Sequence, residues 1–223
     1  MAKSPGDKTY RIIPSNCPPI SLFEEDLPDE EERQLSYILE GLSSQRTGEQ
    51  VNLPSSLNLD DTEDAEGYNT INAAICYIGN PSRFTNGDYG VYYAAFDKQT
   101  AIDETVYWRE KILSDPPVPP CKVIMRVYTS NVLDEVGELV DVSDDELAHE
   151  LTDYNYSQNL AAGLRDQGEF GLLYNSVRSS GGQCIAVFKA SIMSPAKQSG
   201  HLAYYWDGEK IYKVAEVDSN GNE

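Results

Sequence analysis

The order of apolar and polar positions divides the chain into short strands with a few helices between them. Residues 10–13, Tyr-Arg-Ile-Ile, read as a first strand closed by Pro14 and by the Pro18-Pro19 pair. In residues 29–42 the apolar side chains Leu35, Ile38, Leu39 and Leu42 recur at helical spacing, and Asp29 with Glu32 forms a capping box, so a helix is predicted. Residues 43–69 are rich in Ser, Asn, Asp and Glu with little periodicity, which predicts a long loop. Residues 70–78 are small and apolar and fit either a helix or a buried strand. Residues 80–90 are polar and turn-rich, and residues 91–96 are a strand candidate.

A helix is expected over 100–113, with Ala101, Thr105, Trp108 and Ile112 on one stripe and Ile102, Val106 and Leu113 beside it. The proline cluster of residues 115–120 ends it. Residues 122–129 alternate, with Val123, Met125 and Val127 inward: a strand. A short helix over 158–167 follows. Strands at 172–174 and 184–188 flank Ser179-Ser180-Gly181-Gly182. Strands at 202–206 and 210–214 flank Asp207-Gly208, a two-residue hairpin signal. Strands dominate, helices are interspersed, and no βαβ unit or internal repeat is found. The fold class expected is α+β in a single domain over 1–223, with a flexible tail at 216–223.

Charge sharpens this picture. The 17 Lys and Arg against 37 Asp and Glu give a net charge of −20. The excess sits in three runs without a base: seven acids in residues 24–32, five in 60–66 and eight in 134–150. Outside them the charges balance. Such runs are commonly solvated faces, and one of them could instead dock a basic partner. No basic stripe for nucleic acid and no basic amphipathic helix for a membrane surface is present. No signal peptide or membrane span is expected. Cys17, Cys76, Cys121 and Cys184 are too far apart to suggest zinc and read as free thiols of a cytoplasmic protein.

Standard catalytic motifs are missing. With His149 and His201 as the only histidines, a Ser/His/Asp hydrolase is improbable, and His149 in its acidic run reads as a surface charge. Catalysis must lean on carboxylates, Arg, Tyr and Ser. The stretch from Arg83 to Glu104 reads RFTNGDYGVYYAAFDKQTAIDE. An arginine in a Gly/Asn loop suits a phosphate. The strand after it carries the Tyr92-Tyr93 pair, whose end ring could stack on a flat group. Glu104, expected in the first turn of the next helix, could stabilise an oxocarbenium-like centre, or simply complement that helix end. In Tyr174-Asn175-Ser176-Val177-Arg178 a hydroxyl follows a short strand. It could enter a cleft or bond its own backbone.

Arg83 stands ten residues before Tyr93 in a Tyr-x-Ala, Tyr93 eleven before Glu104, and Ser176 follows in an Asn-Ser-Val-Arg strand end. This spaced set resembles the RES domain, a toxin family named for its Arg, Glu and Ser. The opening Tyr10-Arg11 and the closing Trp206-Asp207-Gly208 fit one branch of it. Pro81-Ser82-Arg83-Phe84-Thr85 stands where Gly-Gly-Arg-Trp-Asn is common, with Asn86 one place later.

The resemblance implies an ADP-ribosyltransferase-like split antiparallel core with flanking helices and a cleft for NAD+. It implies cleavage of the nicotinamide–ribose bond by phosphorolysis, with inorganic phosphate as co-substrate, or by hydrolysis, without a metal. It implies an Xre-like antitoxin partner, with a homo-oligomer also open. By position, Arg83 would hold a phosphate or the nicotinamide ribose, Tyr93 would stack on nicotinamide, Glu104 would stabilise the anomeric carbon, and Ser176 would orient the ribose. Arg11 and Arg178 are further phosphate candidates, and Asn86 a further substrate contact. Mono-ADP-ribosylation of a protein, or a non-catalytic interaction protein of the same fold, are the alternatives.

Overall fold

The computed structural model describes residues 8–15, 67–76 and 80–223. The helix expected over 29–42, most of the loop expected over 43–69, and the acidic runs 24–32 and 60–66 lie outside them. The described elements are β1 (Lys8–Pro14), α1 (Asn69–Cys76), β2 (Tyr92–Ala95), α2 (Lys98–Ser114), β3 (Cys121–Asn131), β4 (Val140–Asp141), α3 (Asn155–Asp166), β5 (Gly171–Asn175), β6 (Gln183–Val187), β7 (Lys197–Trp206) and β8 (Ile211–Val217), with 3-10 turns at Glu146–His149 and Ala190–Ile192. The class is α+β, as the pattern predicts.

The strands form one eight-stranded sheet in the order β4-β5-β6-β2-β1-β3-β7-β8. Every pairing is antiparallel except β4 with β5. The centre is its thinnest point: β1 and β2 register at Tyr10 with Ala95, whereas β1 and β3 register along seven pairs. The sheet is thus two four-stranded halves meeting at a narrow join.

Alternation sorts the side chains between two faces. Ile12, Met125, Leu202, Tyr204, Ala95, Cys184, Ala186 and Leu172 face one way and pack with Ala101 of α2 and Ala161 of α3. Tyr92, Ala94, Ile185, Val187 and Tyr128 face the other way and meet Ile71 of α1, Ile192 and Met193. β6 is covered on both faces, which explains its unbroken apolar run. The undecided stretch at 70–78 is helical over α1, because Tyr68 O accepts the amides of Ile71 and Asn72 and Ile71 is then fully buried.

Two further expectations change. Ile112, on one helical stripe with Ala101, Thr105 and Trp108, is 36% exposed, whereas Ala101 is buried, so the stripe is covered only at the start of α2. The tail at 216–223 is held rather than loose. β8 continues to Val217, Lys122 Nζ donates to Gly221 O at 2.9 Å, and the Glu223 carboxylate accepts from Tyr205 Oη at 2.8 Å and Lys213 Nζ at 2.5 Å. Long-range partners on β3, β7 and β8 overcome a composition that locally favours a loop. Among the described residues, no helix is long and apolar enough to cross a membrane, and Cys76, Cys121 and Cys184 are free thiols.

The tyrosines buried in this core set a limit at alkaline pH. Burial pushes the Tyr204 hydroxyl up to about 12, against the opposing hydrogen bond with Thr105 Oγ1 at 2.7 Å. The folded chain therefore keeps its phenol proton where the unfolded chain, titrating near 10, has lost it. This stabilisation is complete below about pH 10 and is lost as pH rises toward about 12. In urea unfolding between these limits, Tyr204→Phe should show a slope of stability against pH shallower by about 1.4 kcal/mol per pH unit. An unchanged slope would mean that Tyr204 is not protected.

Candidate functional site

The site is assembled where α2 meets the β5–β6 connection. Asp97 caps α2, its carboxylate accepting from Thr100 N at 2.8 Å and Thr100 Oγ1 at 2.7 Å. The helix therefore starts at Lys98, and Glu104 sits in its second turn rather than in the first. There its carboxylate is clear of the helix's own amides and turns to the loop after β5. The Tyr92-Tyr93 pair opens β2, within the strand expected over 91–96.

β5 ends at Asn175, and the chain turns back through residues 176–182 to β6. Ser176 N donates to Gly182 O and Gly182 N to Ser179 O. Ser176 Oγ accepts from the amides of Arg178 at 3.1 Å and Ser179 at 3.0 Å. Its proton goes to Glu104 Oε1 at 2.6 Å, 72 residues away in sequence. Ser176 thus closes its own turn and at the same time reaches Glu104 on α2. Gly182 makes this docking possible. A Cβ there would lie 2.2 Å from Thr100 Oγ1, and Gly181 supplies the left-handed turn at φ +75°.

Arg83 and Tyr93 build the neighbouring wall. Phe84 is fully buried with its ring edge-on to Tyr174, centroids 4.8 Å apart, and so anchors the Arg83 loop. The Tyr93 hydroxyl shares a hydrogen bond with Ser82 Oγ at 2.8 Å and accepts from Phe84 N at 3.1 Å. Burial is the main cause that lifts this hydroxyl to about 12. Arg83 is buried over the ring of Tyr154 at 4.9 Å, and its Nη1 donates to Ala148 O at 3.0 Å and Glu150 O at 2.8 Å. From α3, Ser157 Oγ donates to Arg83 O and Gln158 Nε2 to Ser82 O.

Tyr174 and Cys184 pair across β5 and β6. Burial raises both groups; the Glu104 charge raises them further and Arg83 opposes it. One electrostatic environment therefore spans Arg83, the buried Tyr174–Cys184 pair and Glu104.

The other candidates divide. Arg178 lies with its guanidinium 3.6 Å over the ring of Tyr107, one helical turn along α2 from Glu104. Arg11 leans on the Tyr92 ring at 4.9 Å, on the sheet face opposite α2, and its Nη1 donates to Tyr93 O at 2.9 Å beside the narrow join. Asn86 stands apart, its Nδ2 donating to Asp88 Oδ2 at 2.6 Å in an exposed turn. This turn edges a recess of about 230 Å³ lined by Tyr89, Arg165 and Asp166.

His149 is not the plain surface charge expected. Its Nδ1 meets Asp145 O at 2.7 Å, and its Nε2 accepts from Asn175 N at 3.0 Å, so it pins the residue before Ser176. Spacing on α2 makes Tyr107 findable, three residues after Glu104. No local signal marks Tyr154 or the acceptor role of His149.

Comparison with known proteins gives the family. The chain is similar to an uncharacterized protein, y4oC, of Sinorhizobium fredii (strain NBRC 101917 / NGR234), at 26% identity over 223 residues, covering 97% of this chain and 90% of that one. A crystal structure of the M. tuberculosis MbcT–MbcA toxin–antitoxin complex aligns over 61% of this chain and 72% of its own chain, at 14% identity and a TM-score of 0.35. The family model described as RES domain matches residues 64–207, about two thirds of the chain, a span that includes Arg83, Tyr93, Glu104 and Ser176 but not Arg11. A spaced Arg, Glu and Ser, with the Glu and Ser in direct contact, and a family match over that span make this chain a member of the RES domain family.

Proposed function

We propose that the chain is a toxin-type enzyme that cleaves the nicotinamide–ribose bond of NAD+, by phosphorolysis or by hydrolysis. The observation that carries this reading is the 2.6 Å hydrogen bond from Ser176 to Glu104, which joins the last two elements of the family spacing across 72 residues. An ADP-ribosyltransferase-like core is consistent with two half-sheets meeting at Tyr10 and Ala95.

The chemistry suits the residues. The bond between the anomeric carbon and the pyridinium nitrogen breaks, and its electron pair returns to the ring, so nicotinamide leaves neutral without a general acid. A phosphate or water oxygen then bonds to the anomeric carbon, and in the case of water a proton is released to solvent. What the protein must supply is orientation and negative charge beside the cationic ribose. Glu104 would supply the charge, with Ser176 fixing its direction. Arg178 on its tyrosine platform would face pyrophosphate or the incoming phosphate. Tyr93 would offer its ring to nicotinamide. Arg83, whose Nη1 is spent on backbone carbonyls, would act chiefly through its charge. Acting in the cytoplasm, such an enzyme would deplete NAD+ and need an antitoxin of the Xre-like kind.

The test is release of nicotinamide from NAD+ by the purified, partner-free chain, followed by NMR with and without phosphate. Turnover that depends on phosphate gives ADP-ribose 1″-phosphate and identifies a phosphorylase. Turnover indifferent to phosphate identifies a hydrolase. No turnover from a folded chain in either buffer would reject free-NAD+ cleavage and leave transfer to a protein, or binding alone.

A further inference from the structure

Among the described residues, six large apolar side chains are exposed, and three of them lie close together in sequence: Leu147 at 60%, Leu151 at 50% and Tyr156 at 43%. Residues 144–157 also carry Asp144, Asp145, Glu146, Glu150 and Asp153 and no Lys or Arg. All but Asp145 of these carboxylates are exposed. The stretch is ordered. Asp145 caps the 3-10 turn through the amides of Leu147 and Ala148, and accepts the Tyr156 hydroxyl at 2.7 Å. Apolar anchors rimmed by one sign of charge are a docking surface, and the sign selects the partner. Nucleic acid and anionic membranes are repelled. A segment with apolar anchors between Lys and Arg residues is matched.

The inner side of the same stretch holds Arg83 and Asn175. Ala148 O and Glu150 O accept Arg83 Nη1, and His149 Nε2 accepts Asn175 N at 3.0 Å; Ser143 O, just before the stretch, accepts Asn175 Nδ2. Arg83 and the residue preceding Ser176 are thus fastened to one short segment whose outer side is apolar and acidic. We propose that residues 144–157 dock a basic amphipathic segment of a partner protein, and that docking controls the site by moving the acceptors of Arg83 and Asn175. The effect on turnover rests on the NAD+ reading; the docking does not.

The probe is a helical peptide of Leu and Lys in amphipathic order, with a scrambled peptide of the same composition as control. Each is titrated into the full chain and followed by ¹⁵N NMR. The amphipathic peptide should shift amides of 144–157 together with the Arg83 side chain and residues 175–179, and should weaken as salt rises. Leu147→Ser/Leu151→Ser, which alters exposed side chains only, should keep the spectrum elsewhere and weaken the peptide about tenfold or more. Equal binding of the scrambled peptide, shifts spread over the other acidic segments, or an unweakened variant would overturn the docking surface. Nicotinamide release is read in the same samples. Docking that leaves turnover unchanged would overturn the control. Docking to a chain with no turnover even without peptide would count against the NAD+ reading and leave the surface standing.

Discussion

Glu104→Gln should abolish most NAD+ cleavage while leaving the fold intact. The amide is nearly isosteric with the carboxylate, and its oxygen still accepts the Ser176 proton now held at 2.6 Å. The Arg178 and Ser179 amides keep their acceptor, so the turn should not move. What disappears is one negative charge in a half-buried site. Removing a preorganised electrostatic group of this kind costs about 10²–10³ in kcat. Nicotinamide release at saturating NAD+ should fall by that factor, with an unchanged thermal midpoint. Ser176→Ala differs in kind, because it removes a donor to Glu104 and the acceptor of two amides. It should lower both stability and turnover. A Glu104→Gln chain that turns over at the wild-type rate would remove Glu104 from the chemistry.

Gly182→Ala should be damaging although it adds a single methyl. That carbon would lie 2.2 Å from Thr100 Oγ1 and 2.8 Å from Thr100 Cγ2. Thr100 is 1% exposed, and its hydroxyl is committed to Asp97, so it has no free direction to turn. Either the α2 cap breaks or the 176–182 turn lifts from the helix. Overpacking of this kind costs about 1–3 kcal/mol, which is a fall in Tm of roughly 2–12 °C at this chain length. Lifting the turn also draws Ser176 from Glu104, and a misplacement of about 1 Å can cost about 10²-fold in rate. Thr100→Ala opens the space, so the double variant should recover much of the Tm lost by Gly182→Ala. Simple addition of the two single effects would show that the clash is not the cause.

Much of the fold was legible because its signals are local. The periodicity of α2, the alternation of β3, and the Gly-rich turn between β5 and β6 are all set by neighbours within a few residues, whereas the Asp97 cap that starts α2 at Lys98 was not read. The Asp207-Gly208 hairpin was legible too, although its turn spans residues 207–210, closed from Asp207 N to Lys210 O. The helical state of α1 and the anchoring of residues 218–223 were not, because both depend on partners far along the chain. β4 was missed, since two residues paired in parallel with β5 carry no pattern of their own.

The site divides along the same line. By itself the sequence determined the spacing of Arg83, Tyr93 and Glu104 and the Ser176 strand end, and through that spacing the family. These are distances along the chain, and the chain alone sets them. Only the tertiary structure decided which of these residues meet. Sheet register and the close approach of Gly182 to Thr100 bring Ser176 to Glu104. Strand alternation sends Arg11 to the face opposite α2, and the 3-10 turn at Glu146–His149 claims Arg83. The physical reason is that contacts between distant segments depend on how layers pack and on which backbone groups are left to be satisfied, and neither is written within a few residues of any one of them.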